Sequence, residues 1–446
     1  MRTIRDAADR AGIRGPQAIR GSASSTAVAD RYLSNWGVPM NFRRRCAVVA
    51  ALIAVAGAGA CSAPSRRTGS APTPSQTVAP TGAAIPTPSV APTLATGRDA
   101  CVAATVATMS LEQIVSQVML IGAPVTDPRS VSSVLSKYQV GGVFLAGRSK
   151  RSAAALKSDI ASLQAQAPSG NRFFIALDQE GGEVQTLQGP DFPPIPTAVQ
   201  QGKLSQTALH DQTAEWAKRL AAIGINLDLA PVADTVPAAL GTKNPPIGLY
   251  HRQFGSDPVQ VAEAISTVVP ALQDASVMTT LKHFPGLGRT KVNTDFGTGA
   301  SDPVTTPSDP YLGPFVAGIK AGSGAVMIAS ATYPKLDPKH IATFSEPIIT
   351  GLLRERLGFT GMIVSDSLAG AAAVSIVPTK NRAVQFIQAG GDFALTTDAG
   401  KGVTMIKGLL AEAQASPAFR TRVTAAASSV LRAKYDAGLL GCSPQP

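Results

Sequence analysis

Eight short apolar runs recur along the part of the chain that follows residue 119. The runs are apolar at nearly every position rather than at alternate positions, which is typical of parallel strands that are buried on both faces. They occupy residues 120–125, 140–147, 173–178, 225–234, 279–284, 324–330, 362–366 and 392–397. The pattern therefore predicts eight parallel strands.

Amphipathic stretches separate these runs and predict helices. Residues 205–224 and 256–277 place their apolar side chains on one helical face. Residues 110–120 open with Ser110 and carry Gln113 three positions later, which is the spacing of a capping box. Eight strand-then-helix units predict an α/β fold of the (β/α)8 TIM barrel type. The alternative is an open, doubly wound sheet, but no G-x-G-x-x-G dinucleotide motif follows the first run.

Several of the predicted strands end in polar or charged residues. These residues are Asp178, Asp234, Lys282 with His283, and Asp366. In a (β/α)8 barrel the carboxyl ends of all strands meet at one mouth, and the chemistry of the fold takes place there. The sequence therefore predicts a functional site that gathers these side chains.

The first 61 residues have the pattern of an export signal. Three arginines at positions 43–45 precede an apolar run over residues 46–60, which is shorter than a bilayer span of about 20 residues. Small residues then lead to Cys61, an order that resembles the bacterial lipobox, in which the cysteine is acylated. The alternative is an ordinary secretory signal, and a start at Met40 would give either signal a normal length. We expect export to the outer face of the cell membrane, with lipidation at Cys61.

Residues 62–99 consist almost entirely of Ser, Thr, Pro, Ala and Gly. Such a composition buries too little apolar surface to offset the chain entropy lost on folding. The segment is therefore predicted to be a disordered tether. It separates the signal, residues 1–61, from a single folded domain, residues 100–446.

The charge of the chain gives little support to a nucleic-acid partner. The formal net charge is +11, but residues 1–61 hold nine basic and three acidic side chains. The rest of the chain then carries about +5, with no basic run interleaved with aromatic residues. With 44% apolar residues, that remainder is long enough for one large core.

Four cysteines are present, and two of them are expected to pair. Cys46 lies in the signal and Cys61 is assigned to the lipid, which leaves Cys101 and Cys442 near the ends of the folded domain. A barrel brings its two ends together, and an exported domain folds in an oxidising compartment. We therefore predict a Cys101–Cys442 disulfide. The four scattered histidines give no metal-ligand spacing, so no metal site is expected.

Three segments of the chain resemble family 3 glycoside hydrolases, in particular single-domain β-N-acetylglucosaminidases and related bacterial lipoproteins. The segments are similar to the family's substrate-binding loop, its K-H-F-P-G-x-G signature and its nucleophile strand, and they read DQEGGEVQ (178–185), KHFPGLGRTKVNTDFG (282–297) and GMIVSDSL (361–368). Residues 227–234 and 251–258 fit the same template. The resemblance spans residues 110–439 and implies a (β/α)8 barrel.

The resemblance implies a role for each matching side chain. Asp366 would be the nucleophile of a retaining mechanism, which uses two carboxyl groups about 5 Å apart. Asp178 would bind two hydroxyls of the terminal sugar, with Lys282, His283 and Arg252 beside it. The residues by themselves also allow Asp366 to cap the next helix, Lys282 to be a buried ion-pair partner and His283 to be a core histidine.

The chain departs from the family pattern at two places. Glu183 and Thr186 stand where the loop pattern D-x-E-G-G-R-V-x-R has arginines, so one substrate-binding arginine is absent. The family's Asp-Ser-His, whose Asp and His serve as acid and base, is replaced by Asn-Thr-Asp, which ends at Asp295. We expect Asp295 to be the acid, with its pKa raised by burial against Phe296 and by the charge of Asp366.

Two alternatives remain for the acid. His340, in the segment after the sixth predicted strand, could enter the site from a different loop. Asp295 could also do no more than cap a turn after Asn293.

These features together predict an exo-acting, retaining β-glycosidase that hydrolyses terminal β-linked N-acetylglucosamine from cell-wall fragments. A β-glucosidase or another exo-β-hexosidase is the alternative enzyme, because the lost Asp-Ser-His is tied to N-acetylglucosamine. A non-catalytic lipoprotein that binds cell-wall sugars is the alternative from another class. The expected partner is a carbohydrate, without a cofactor, and the chain is expected to be a monomer that meets the membrane only through its lipid.

Overall fold

The computed structural model describes residues 97–442, and its central feature is a ring of eight strands. All eight predicted strands are present, each at the apolar run that predicts it. They are β1 (Met119–Pro124), β2 (Gly142–Ala146), β3 (Phe174–Leu177), β4 (Leu227–Asp228), β5 (Met278–Phe284), β6 (Ala325–Ile328), β7 (Met362–Ser365) and β8 (Ala394–Thr396).

The strands pair in parallel in the order β7-β6-β5-β4-β3-β2-β1-β8. The two ends of this row meet, because Val364 of β7 forms a parallel bridge with Phe393, directly before β8. The backbone nitrogen of Ser365 also donates to the carbonyl oxygen of Phe393 at 3.1 Å. The sheet therefore closes on itself. This confirms the predicted (β/α)8 barrel and rules out the open sheet.

Helices cover the outside of the barrel. The capping box predicted at Ser110 and Gln113 is formed at the start of the helix Leu111–Gln117, since Ser110 Oγ accepts from Gln113 N at 3.2 Å and Gln113 Oε1 accepts from Ser110 N at 2.7 Å. A π-helix, Pro347–Arg356, lies between β6 and β7. The α-helices are α1 (Gly97–Thr108), α2 (Leu111–Gln117), α3 (Ser132–Tyr138), α4 (Ala153–Gln164), α5 (Ala198–Gln201), α6 (Gln206–Ala222), α7 (Pro258–Gln273), α8 (Gly313–Lys320), α9 (Thr379–Gln388), α10 (Ala399–Ala415) and α11 (Pro417–Asp436).

Along each strand, successive side chains point in turn to the barrel interior and to the surrounding helices, as the two-residue period of a strand requires. Leu120, Phe174 and Phe393 belong to an interior apolar cluster, in which the two phenylalanine ring centroids are 5.9 Å apart. Ile121 and Ile175 belong to the larger cluster that includes residues of the surrounding helices. Because apolar side chains fill the interior, the polar side chains collect at the carboxyl ends of the strands.

The two ends of the described chain meet at the amino-terminal side of the barrel. Cys101 of α1 and Cys442 form a disulfide, with their Cα atoms 5.7 Å apart. The predicted boundary of the tether, residues 62–99, extends three residues too far, because α1 begins at Gly97. Arg98 and Asp99 form ion pairs with α11, at 3.2 Å to Asp436 and 3.0 Å to Arg432. These contacts hold the helix in place, and composition does not reveal them.

The signal and most of the tether, including Cys61, lie outside the described residues, as do residues 443–446. Among residues 97–442, no helix is both long and apolar enough to span a membrane.

Candidate active site

The barrel mouth brings together the side chains that the sequence singles out at the strand ends. Asp178 directly follows β3, Lys282 and His283 lie near the end of β5, and Asp366 directly follows β7. Because the strands are parallel, all of these ends point to one side of the barrel. Arg252 and Asp295 reach the same mouth from the loops after β4 and β5.

Lys282 is the centre of a buried charge network. Its Nζ atom lies 2.6 Å from Asp178 Oδ1 and 2.6 Å from Glu180 Oε1, and the residue is 2% exposed. Burial by itself lowers the pKa of this lysine, but the two carboxylates outweigh burial and raise it. Lys282 is therefore a fixed cation. It is a buried ion-pair partner and it also lies in the barrel mouth, so the two interpretations of this residue do not exclude each other.

Glu180 is a member of this network that the sequence reasoning did not single out. It lies in a short strand, Gln179–Gly181, which pairs with Val184–Gln185 across a Gly181-Gly182 turn. Both glycines have positive φ, and a Cβ atom on Gly181 would lie 2.4 Å from the carbonyl oxygen of Pro196. A second carboxylate two positions after Asp178 was the signal in the sequence.

Arg252 is held by Glu180 in a two-pronged contact. Its Nε and Nη2 atoms donate to the two carboxylate oxygens at 2.8 and 2.7 Å, and its Nη1 donates to the Pro246 carbonyl oxygen at 2.9 Å. Burial raises the pKa of Glu180, but Arg252 and Lys282 outweigh it and bring the pKa to about 2. Glu180 therefore stays ionised and fixes both cations in position.

His283 is paired with Asp234, which is fully buried after β4. The His283 Nδ1 atom lies 2.8 Å from Asp234 Oδ2, and the Leu287 backbone nitrogen donates to Asp234 Oδ1 at 2.7 Å. Asp234 thus orients the imidazole and holds the start of the loop that follows β5. The sequence marked Asp234 as a polar strand end but gave it no partner.

Asp228, at the end of β4, lies beneath the same network. Its Oδ1 atom accepts from the backbone nitrogen of Gln179 at 3.0 Å. Burial raises the pKa of Asp228 to about 7, against the effects of that hydrogen bond and of Lys282. The sequence reasoning did not assign Asp228 to the site, because it stands inside an apolar run.

Asp295 reaches the mouth on the loop that follows β5. The backbone nitrogen of Asp295 donates to Asn293 Oδ1 at 2.9 Å, so it is Asn293 whose side chain caps the turn. Burial, and next the negative charge of Asp366, raise the pKa of Asp295 to about 6, although Arg252 and His283 act in the opposite direction. A carboxyl group with this pKa can give up and regain a proton near neutral pH.

Asp366 stands at the mouth and does not cap a helix. The next α-helix, α9, begins at Thr379 after Pro378, so the helix-cap alternative is not the one that the structure adopts. The Asp366 backbone nitrogen donates to the Ile328 carbonyl oxygen at 3.2 Å, and its Oδ1 accepts from the Ser367 backbone nitrogen at 2.7 Å. These contacts continue the β6–β7 pairing and orient the carboxylate.

The structure keeps His340 apart from these carboxylates. Its side chain is 55% exposed in the hairpin strand Asp337–Ile341, with Nδ1 2.9 Å from Asp337 Oδ2. Within residues 97–442, no hydrogen bond or ion pair joins His340 to Asp295 or Asp366. The alternative in which His340 enters the site is therefore wrong for this structure.

An arginine that follows β2 lies near the loop 178–186, which lacks the arginines of the family pattern. Arg148, after β2, donates through Nη2 to the carbonyl oxygen of Glu183. Burial lowers the pKa of Arg148 below its ordinary value, although the nearby charge of Glu183 acts in the opposite direction. Glu183 itself is exposed, and Thr186 is buried.

The site consists of carboxyl groups and nitrogen cations. Within residues 97–442, no group of three or more His, Cys, Asp or Glu side chains has the arrangement of a metal site. Cys101 and Cys442 are joined to each other at the opposite end of the barrel. The arrangement can hold a neutral, hydroxyl-rich ligand between a fixed cation network and two carboxyl groups, of which Asp295 has a raised pKa.

Comparisons with known proteins agree with this geometry. The beta-hexosaminidase of Xanthomonas oryzae pv. oryzae (strain KACC10331 / KXO85) is 35% identical over 270 residues, which are 57% of this chain and 76% of that protein. The crystal structure of beta-N-acetylhexosaminidase from Beutenbergia cavernae DSM 12333 superposes with a TM-score of 0.71 at 40% identity, over 74% of this chain and 99% of that chain.

A second solved structure and a family model extend the match. A glycoside hydrolase family 3 beta-N-acetylglucosaminidase from Paenibacillus sp. str. FPU-7 has 25% identity and a TM-score of 0.65, over 76% of this chain and 65% of that chain. Residues 110–433 match the glycosyl hydrolase family 3 N terminal domain. Because this match contains all eight strands and every residue of the site, the chain belongs to glycosyl hydrolase family 3 and is a glycoside hydrolase.

Proposed function

We propose that this chain is an exo-acting, retaining β-N-acetylhexosaminidase that releases terminal β-linked N-acetylglucosamine. The observation that carries the proposal is the pair of carboxyl groups at the mouth, Asp366 and Asp295, of which Asp295 has a pKa raised to about 6. Retaining glycosidases use two such groups across the scissile bond. The relatives named beta-hexosaminidase and beta-N-acetylhexosaminidase support the choice of sugar.

The first chemical step forms a covalent glycosyl-enzyme. A carboxylate oxygen of Asp366 attacks the anomeric carbon, and the bond from that carbon to the glycosidic oxygen breaks. Asp295 donates its proton to the departing oxygen, so the leaving group departs as a neutral alcohol. Burial favours the protonated form of Asp295, which is the form that this step needs.

The second step releases the sugar. Asp295, now a carboxylate, accepts a proton from a water molecule whose oxygen attacks the anomeric carbon. The ester bond to Asp366 breaks, which restores both carboxyl groups and gives a sugar with its original anomeric configuration. One residue thus serves as acid and then as base, a role that an Asp and a His serve together in the family.

The cation network would hold the terminal sugar in place. Asp178 offers carboxylate oxygens to sugar hydroxyls, while Lys282 and Arg252 donate from positions fixed by Glu180. His283 turns Nδ1 to Asp234, which leaves Nε2 as the ring nitrogen available to the sugar. Because these groups are held before substrate binds, little ordering is left for the reaction itself.

Export and lipid anchoring belong to the same proposal, and they rest on the pattern of residues 43–61. A diacylated Cys61 would place the enzyme at the outer face of the membrane, where cell-wall fragments supply terminal N-acetylglucosamine. One chain contains the whole site, so a monomer suffices. Cys61→Ser should release soluble enzyme, and membrane retention of a variant with a cleaved signal would contradict the anchor.

The substrate is tested with a panel of 4-nitrophenyl β-glycosides. We expect release from the N-acetylglucosaminide at a kcat/KM well above that for the glucoside. The reverse order would make the protein a β-glucosidase, and release from neither would make it a sugar-binding protein. Asp366→Asn should lower kcat/KM by about 10³-fold or more, whereas Asp436→Asn, an exposed carboxylate on α11, should leave it unchanged.

Asp295 is tested by its pH profile. In the wild type, kcat/KM should fall about tenfold per pH unit above the pKa near 6, because the acid loses its proton. Asp295→Ala should lose this limb, should suffer most with a poor leaving group, and should regain turnover with azide. Small, equal losses on good and poor leaving groups would show that another group is the acid.

A further inference from the structure

The loop that carries Asp295 and the loop that follows Asp366 are joined to each other. The backbone nitrogen of Ala372 donates to the Asp295 carbonyl oxygen at 3.1 Å, and that of Ala373 donates to the Thr294 carbonyl oxygen at 3.1 Å. The two loops therefore form one continuous edge beside the carboxyl pair, rather than two separately moving segments.

This edge exposes apolar side chains. Phe296, directly after Asp295, is 46% exposed, and Ile376, at the end of the short helix Ala372–Ile376, is 64% exposed. Only four large apolar side chains within residues 97–442 are at least 46% exposed, and Phe296 and Ile376 are two of them. Isolated exposed apolar residues carry little meaning. These two lie on one joined edge, and Phe296 directly follows the proposed acid.

The position of the acid decides which part of a substrate this edge would meet. The terminal sugar lies on the side of Asp178 and Lys282, whereas the acid must contact the glycosidic oxygen at the junction with the leaving group. Consecutive Cα atoms are about 3.8 Å apart, so Phe296 stays within one residue of that junction. The group beyond the glycosidic oxygen therefore lies on the same side of the site as the loop edge that carries Phe296 and Ile376.

We propose that Phe296, assisted by Ile376, is the binding platform for the leaving group, and that this platform selects β-glycosides whose leaving group has a flat apolar face, a second pyranose ring or an aryl ring. The proposal deepens the proposed function and rests on it. An aromatic ring offers a broad apolar surface at little entropic cost, which suits the C–H face of a pyranose or an aryl ring.

The test compares two substrates that share N-acetylglucosamine but differ in the leaving group, the 4-nitrophenyl β-glycoside and the β-glycosyl fluoride. Phe296→Ala should lower kcat/KM for the aryl glycoside by about three- to tenfold and change that for the fluoride by less than about twofold. Ile376→Ala should have a smaller effect of the same kind. Phe296→Tyr should keep the wild-type ratio, and Tyr435→Ala, a 37% exposed aromatic residue on α11, should change neither substrate.

Each other outcome has a definite meaning. Equal losses on both substrates in Phe296→Ala would show a general role of the loop and overturn the platform, as would no loss on either. Wild-type hydrolysis of the fluoride, with no selective loss in Phe296→Ala, would overturn the platform while keeping the proposed function. No hydrolysis of either substrate by the wild type would overturn both.

Discussion

Two lysines, Lys282 at the barrel mouth and Lys434 at the opposite end, are buried to almost the same degree, at 2% and 0% exposed. Lys282 has two carboxylates within 2.6 Å. Lys434 donates to an uncharged oxygen, Asn171 Oδ1, at 2.8 Å, and Asn171 in turn donates to Gln117 Oε1 at 3.0 Å. The same side chain is thus buried once among charges and once among amides.

The difference decides the charge of each lysine. Burial lowers the pKa of Lys434 well below its ordinary 10.5, and within residues 97–442 no carboxylate forms an ion pair with it. At Lys282 the carboxylates of Asp178 and Glu180 outweigh burial, so its pKa is raised. Burial alone therefore says little about a lysine in this fold. Lys282 keeps a positive charge at the mouth, where it can bind a ligand. At the opposite end of the barrel, Lys434 loses its proton more readily and lies among amide and apolar side chains.

The largest expected effect is that of Lys282→Met, which is compared with the same substitution at Lys434. Lys282→Met leaves Asp178 and Glu180 without their shared cation and should lower the free energy of unfolding by about 3–5 kcal/mol. Lys434→Met is the matched control and leaves no carboxylate unpaired. Urea denaturation at pH 7 measures both. Equal losses in the two variants would remove the distinction between the ends of the barrel.

The disulfide at the base is expected to have the next largest effect. Cys101 and Cys442 are 341 residues apart in the chain, so their bond restricts the unfolded state strongly. Cys442→Ser should lower the free energy of unfolding by about 2–4 kcal/mol and leave kcat/KM unchanged, because the site lies at the other end. Reduction of the wild type should reproduce the loss, and a fall in activity without unfolding would contradict the separation of the two ends.

A third prediction concerns the pH dependence of stability. Unfolded Lys434 binds a proton up to pH 10.5, whereas the folded residue releases it at a lower pH, so the unfolded state binds more protons in between. The wild type should therefore gain up to about 1.4 kcal/mol per pH unit relative to Lys434→Met as pH rises through this window. Parallel stability curves for the two proteins would show that Lys434 is charged when folded.

The smallest expected effect is that of an exposed ion pair at the base. Arg98 and Asp436 lie 3.2 Å apart, with side chains 40% and 52% exposed. Solvent screens such a pair, so Asp436→Ala should change the free energy of unfolding by less than about 1 kcal/mol. A loss as large as that for Lys282→Met would mean that exposure does not separate the two kinds of ion pair.

The sequence predicted much of the barrel because the apolar pattern of each strand is encoded within a few neighbouring residues. Parallel strands buried on both faces must be apolar throughout, so each of the eight runs is visible without knowledge of its neighbours. The capping box at Ser110 and Gln113 is local as well, since both hydrogen bonds join residues three positions apart. The start of α1 at Gly97 was missed because its contacts with α11, which include two ion pairs, join residues more than 300 positions apart.

The residues of the site fall into the same two groups, those that a local pattern predicts and those that only contacts with distant residues define. The sequence singled out Asp178, Lys282, His283 and Asp366 as strand-end residues, and parallel strands bring such residues together. It did not reveal that Glu180 holds both Lys282 and Arg252, because those contacts join residues about 70 to 100 positions apart. The sequence favoured Asp295 over His340 as the acid by its place in the motif, but it could not show where either side chain lies in space.

By itself, then, the sequence determined the type of fold and the residues available for chemistry, because strand burial, helix caps and strand-end polarity are encoded over a few neighbouring positions. Tertiary structure decided the protonation states, of which the sequence had predicted only the direction of the Asp295 shift. The pKa of Asp295 near 6, that of Asp228 near 7 and the opposite shifts of Lys282 and Lys434 depend on burial and on charges brought from distant strands. Electrostatic energies act through space, so no local pattern in the chain can specify them.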